Sequence, residues 1–273
     1  MLDRILARAP VYLLVAVRCF ALIMTLPLFS SKSVSRIAKV TLAAYMAFFI
    51  SPQLSLNEGN FSVYASFIRA DGAFNLDFIF LLVGEALIGI IIGFCISIIF
   101  AVFSTAGQFF AFQMGFAASE VYDALSQVEN PLMGQYLNLV AMLVFMQNHW
   151  FQMLFLGGLK SSFETLNAFS IVNYNGNLVS FMLSSLTRLF RDALVIALPM
   201  MGTLFLINVA MGILSKAAPQ MNLLAEGFPI LILTAFFVLT AIMPQLTDYF
   251  IESFYSGFKA MGRLFASLGG GGA

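Results

Sequence analysis

Glu85 is the side chain of this 273-residue sequence best placed to do chemistry in an apolar setting. Every fourth residue after it is small: Gly89, Gly93, Ser97, Ala101 and Thr105 share one ridge of a helix. Small residues let a second backbone approach closely. The ridge therefore predicts a tight helix contact, with the Glu85 carboxylate turned toward protein rather than lipid. In mid-membrane such a carboxylate is costly and marks a functional site. At the start of an uncharged run, where Gly84-Glu85 stands, it is equally an interface charge, and both readings are open. Arg18, alone in the first apolar run, either snorkels to the interface or pairs with another chain. Gly107, Ala111 and Gly115, with Ala118 one turn on, make a second small ridge.

Other reactive residue types are sparse. A catalytic histidine needs a nucleophile and an orienting partner. The single histidine, His149, follows Gln147-Asn148 and precedes Trp150, which is an interface signature and not a catalytic one. One His and two Cys are too few for a zinc cluster, and Cys19 and Cys95 sit in apolar runs as small buried hydrophobes. No enzyme activity, metal or cofactor is expected. Arg188 and Asp192 have the spacing of a local salt bridge, Asn208 is expected to bond across helices, and Pro199 predicts a kink.

The elements that must carry these residues follow from composition. Hydrophobic residues make up 61% and charged residues 10%, and the mean hydropathy is +0.95. Soluble domains have roughly 45–50% apolar and about 25% charged residues, so a water-soluble or disordered chain is excluded. Thirteen basic and thirteen acidic residues cancel, which removes a nucleic-acid surface. Poorly charged runs cover 9–29 (interrupted by Arg18), 40–57, 86–119, 130–159, 193–215 and 227–247. The first reads as a mature membrane segment and not a removed signal peptide. In lipid these runs must be helices, and the alternation of barrel strands is absent. The expected fold is an all-α membrane protein of hydrophobic helical hairpins, one domain over 1–268, with a disordered tail at 269–273.

As one helix, 86–119 would run roughly 50 Å, longer than the hydrocarbon core, so a bend is expected at Thr105-Ala106-Gly107 or the run packs inside a larger body. Polar segments lie at 57–77, 119–130 and 160–192. Within 248–268, Phe250, Phe254, Phe258, Met261 and Phe265 fall on one helical face. Topology is mixed: Lys32, Arg36 and Lys39 mark the first loop as cytoplasmic, while Arg4 and Arg8 pull the N-terminus to the same side. The segment Ser119–Pro131 is acidic and has no basic residue. It is either a solvated loop or a mobile piece inside a pore. The most specific string is Gly212–Asn222 followed by Gly227-Phe228-Pro229; Lys216 suits a helix C-terminus and Ala218-Pro219 stops the helix.

That string resembles the FliR family of flagellar biosynthesis proteins and its virulence-secretion relatives, the export-apparatus T subunits. Pro219, Gln220, Met221 and Asn222, then Gly227, Phe228 and Pro229, carry the resemblance best. Arg18, Pro27, Pro52, Glu85-x3-Gly89-x3-Gly93, Ala106-Gly107, Gln113-Met114-Gly115 and Asn148-His149 extend it over about 10–255. The family commonly has Pro at Ser35, Gly at Asn148, and Asp-Pro where Asp123-Ala124 stands here. The resemblance implies a non-catalytic subunit of a type III export gate in the bacterial inner membrane, leaning flagellar. It implies assembly with FliP-like and FliQ-like subunits, contact with FlhB-like and FlhA-like components and lipid, and passage of unfolded secreted proteins. Ser119, Glu120, Val121, Tyr122, Asp123, Glu129, Asn130 and Pro131 match the family's pore plug. Two other readings compete: a stand-alone small-solute secondary transporter built on Glu85, Arg18 and a broken helix, against which no inverted halves are evident, and a membrane enzyme.

Overall fold

A computed structural model describes residues 2–30, 34–54, 60–68, 75–115, 132–173, 175–220 and 223–269. Among them the secondary structure is helical: α1 (Leu2–Thr25), α2 (Pro27–Ser30), α3 (Arg36–Ile50), α4 (Leu76–Gln113), α5 (Leu132–Gln147), α6 (Trp150–Gln152), a π-helix (Met153–Leu159), α7 (Lys160–Thr165), α8 (Ala168–Asn173), α9 (Asn175–Ala217) and α10 (Leu223–Leu268). Short 3-10 turns occupy Ser51–Gln53 and Asn60–Tyr64. The chain is an all-α membrane protein. Three helices are long and apolar enough to cross a membrane, at 76–113, 175–217 and 226–268. The pair 132–147 and 150–165, bent by 76°, makes a fourth if taken as one span.

The helix ends follow local chemistry. Pro27 has no N–H to continue α1. The Thr25 carbonyl, in the last turn of α1, accepts from the Ser97 hydroxyl at 2.8 Å. Ser35 caps α3 by accepting from the Ala38 N–H at 3.2 Å. Helix α9 ends at Ala217, two residues before Pro219, with Lys216 in its last turn. Between α5 and α6 the chain turns at His149, whose φ is 55°, and the Asn148 side chain donates to the Val144 carbonyl at 2.8 Å.

The helices and the apolar runs differ in extent. Helix α4 runs unbroken for 38 residues through Thr105–Gly107, about 57 Å at 1.5 Å per residue. Gly107 serves a close helix crossing there, described below. The described residues of the polar segment 160–192 are mostly helical, in α7, α8 and the start of α9 with an extended Leu166 between the first two, because burial of Ser162, Phe163 and Ala168 outweighs the weak helix propensity of its Ser and Asn residues. The run 40–57 stops at Ile50, and α3 with 15 residues spans only about 22 Å. Helix α9 carries Pro199 in its interior, where a kink is expected, and the Thr203 hydroxyl donates to the Pro199 carbonyl at 2.8 Å.

The chain divides into two compact units, 1–98 with 149–185 and 255–273, and 99–148 with 186–254. In the first, Leu14, Leu22, Phe61, Tyr64, Trp150, Phe163, Met261 and Phe265 are buried. In the second, an aromatic cluster forms the core: Phe103–Phe250 at 4.8 Å, Phe145–Phe254 at 5.0 Å and Phe100–Phe145 at 5.4 Å between ring centres. Phe250, Phe254, Met261 and Phe265, which share one face in the sequence, are all buried.

Candidate functional site

Arg18 and Glu85 meet inside the first unit, each 0% exposed. Helix α1 presents the guanidinium and α4 the carboxylate. Arg18 Nε donates to Glu85 Oε2 at 2.6 Å and Nη2 to Oε1 at 2.9 Å, a bidentate pair. The remaining partners come from two further segments. Nη1 donates to Ser162 Oγ at 3.1 Å and Nη2 also to the Leu166 carbonyl at 3.1 Å. The Tyr64 hydroxyl donates to Glu85 Oε1 at 2.6 Å and accepts from the Ala168 N–H. The Ser162 hydroxyl in turn donates to the Leu159 carbonyl at 2.6 Å. The Phe163 ring lies 4.1 Å from Arg18 Cζ.

Removing two charges from water costs several kcal/mol per ion, offset only by good geometry and satisfied neighbours. Both conditions hold here, so the cluster is a closed polar network tying α1, α4, the Tyr64 turn and α7 together. Burial, then the Glu85 carboxylate beside it, push the Tyr64 hydroxyl far above its ordinary pKa, so it stays a donor at physiological pH. Replacing Tyr64 by Phe removes a hydrogen bond to a charged group. The expected loss is about 1.5–3 kcal/mol of stability, read from equilibrium unfolding in detergent.

The small ridge on α4 faces α1. A Cβ at Gly89 would strike the Arg18 carbonyl and lie 2.9 Å from Ala21 Cβ and 3.1 Å from Leu22 N. One at Gly93 would strike Thr25 Oγ1 and lie 2.7 Å from Thr25 Cβ. In the second unit Gly107 meets α5, with Met133 O at 2.6 Å and Gly134 Cα at 2.7 Å from a built Cβ. Gly115, at φ +81°, lies under the Phe228 ring.

The other expected residues fall as follows. Arg18 neither snorkels nor awaits another chain; its partner is Glu85. Arg188 and Arg191 both reach Asp192, at 3.4 and 3.3 Å, and Asn208 Nδ2 donates to Gln113 Oε1 at 3.4 Å. Pro219 and Gln220 form the turn after α9, and a Cβ built at Gly227 would lie 3.2 Å from Met211 Sδ. Phe228 is half-buried and Pro229 exposed in the early turns of α10. Met221, Asn222 and the segment Ser119–Pro131 lie outside the described residues. His149 serves the turn, and no group of three or more His, Cys, Asp or Glu among the described residues could hold a metal. Sequence reasoning missed Tyr64, Ser162, Phe163 and Leu166. The available signal was one charge of each sign, each isolated in an apolar run.

Known proteins share this framework's sequence over most of its length. The profile of the family described as "Bacterial export proteins, family 1" matches residues 9–257. The flagellar biosynthetic protein FliR of Escherichia coli (strain K12) is 28% identical over 261 residues, covering 92% of this chain and 91% of the relative. FliR of Bacillus subtilis (strain 168) is 27% identical over 272 residues, covering 98% and 99%. The surface presentation of antigens protein SpaR of Shigella sonnei is 30% identical over 160 residues, covering 59% and 61%.

Proposed function

The chain belongs to the bacterial export proteins, family 1, and from that membership we propose that it is a structural, non-catalytic subunit of a type III export gate in the bacterial inner membrane. It assembles with FliP-like and FliQ-like subunits, meets FlhB-like and FlhA-like components, and lines the route of unfolded secreted chains. The flagellar names of the relatives that cover the whole chain favour a flagellar apparatus. The observation that carries this reading is the family match over residues 9–257, which takes in two of the long apolar helices whole and most of the third. The Arg18–Glu85 pair supports it as well: both charges that a stand-alone transporter would use are satisfied within the chain. Purification of the tagged chain from its own membrane is expected to bring FliP-like and FliQ-like subunits in fixed ratio. A functional, monodisperse single chain that moves a small solute in liposomes overturns the reading.

Ser119–Pro131 serves in this proposal as the plug that helps close the pore. An acidic stretch without basic residues between apolar runs supports that role. Shortening 119–131 is expected to raise small-ion conductance of the assembled complex several-fold in planar bilayers, and unchanged conductance counts against the plug.

A further inference from the structure

The π-helix Met153–Leu159 stands directly before the helix that completes the Arg18 cluster. A π turn closes hydrogen bonds over one more residue than an α turn, and such turns cluster at functional sites. Relaxing one π stretch to α therefore turns everything after it by about one residue, roughly 100°. Here that rotation acts on α7, which carries Ser162, Phe163 and, at its end, Leu166.

We propose that the π-helix is a register switch: on tightening to α it turns α7 by one residue and exchanges Ser162 for Ser161 at the Arg18 guanidinium. Four observations carry this. The residue before Ser162 is a second serine, so a hydroxyl reaches Arg18 Nη1 in both registers. The ion pair itself is indifferent to the rotation, because Arg18 lies on α1 and Glu85 on α4, and these helices are locked backbone to backbone at Gly89 and Gly93. The π-helix itself has open space at Gly157, where a Cβ meets nothing within 4 Å, and a soft neighbour at Gly158, where one meets the flexible end of Met261 at 3.1 Å, while the buried Ser162 and Phe163 change places against their packing. The two registers also differ energetically, since the rotation withdraws Phe163 from its 4.1 Å stack on Arg18 and puts Ser162 in its place. Arg18 and Glu85 are thus a fixed socket, and α7 is the part that clicks between two seats in it. The role of that click in opening the export route rests on the function proposed above; the click itself does not.

Two arms test it on the full chain in its complex. In the first, thermal midpoints are compared with and without Gly157, whose deletion removes the extra residue of the π turn and fixes the present register. Ser162→Ala is expected to lower the midpoint at least twice as much in the Gly157-deleted chain, where Ser161 cannot move in, as in the otherwise unaltered chain. Equal shifts in the two backgrounds overturn the switch, and so does a Gly157-deleted chain that no longer folds, because the deletion should keep every resting contact. The second arm measures export in a strain lacking the chain. Ser161→Ala is expected to leave the resting midpoint unchanged and to slow export at least threefold. Export at the unaltered rate overturns a role for the switch in export. A strain that exports equally well without the chain overturns the export reading instead, and the midpoints of the first arm still decide the switch.

Discussion

Glu85→Ala is expected to destabilise the chain by about 3–5 kcal/mol, and Arg18→Leu by a similar amount. Each substitution leaves one ion fully buried with its counter-charge gone. Losing Glu85 strands three donors at once: Arg18 Nε, one Nη2 proton and the Tyr64 hydroxyl. Stabilities of native domains are about 5–15 kcal/mol, so such a loss is a large share of the margin. The measurement is the denaturant midpoint in detergent together with the level of chain in membranes. A loss below about 1 kcal/mol would mean that water enters the cluster.

Gly89→Leu is the second large effect expected. A Cβ there collides with the Arg18 carbonyl, and the next nearest atoms belong to Ala21 and to the Leu22 backbone, none of which can swing aside. Helix α1 would have to lift from α4 along the segment that places Arg18. Overpacking in a core ordinarily costs about 1–3 kcal/mol, and rigid backbone on the other side puts this site at the top of that range or beyond it. Gly202→Ala is the matched control, because nothing lies within 4 Å of its built Cβ and the change favours the helix by up to about 1 kcal/mol. The yield of complex with FliP-like and FliQ-like subunits should fall sharply for the first and hold for the second. Equal yields would show that the α1–α4 approach is not needed for assembly.

Much of this framework was legible in the sequence because it follows from periodicity. Gly89 and Gly93, one and two steps of four from Glu85, mark the face of α4 that the structure sets against α1, and Phe250, Phe254 and Phe265 mark the buried face of α10. What was not legible depends on residues far apart in sequence. Tyr64 lies in a short polar turn and Ser162 in a stretch rich in serine and asparagine, and neither has a local signature. They matter only because α1 and α4 bring an ion pair between them. Hydropathy also misjudged lengths. It merged α5, the turn at His149 and the π-helix into one apolar run, although a left-handed residue bends the pair by 76°. It split α9 and α10 at their polar ends, where 43 and 46 residues form continuous helices. A helix can run on past the hydrocarbon layer when protein covers it, and partner subunits would supply that cover in the proposed assembly.

In the proposed export gate the chain is a framework part, and its buried charges hold that framework without moving protons or solute. The most direct measurement replaces both charges together, Arg18→Met with Glu85→Gln, which keeps Oε1 to accept from Tyr64. Neutral replacement of a complete buried pair is close to neutral for stability, unlike removal of one member. Export of secreted chains by the assembled double variant, assayed in a strain lacking the native chain, is expected to persist and to fall no further than it does for Ser161→Ala, because both changes remove the same hydroxyl–guanidinium contact. A double variant that assembles in normal yield yet exports nothing would contradict the account and make the pair part of the transport step.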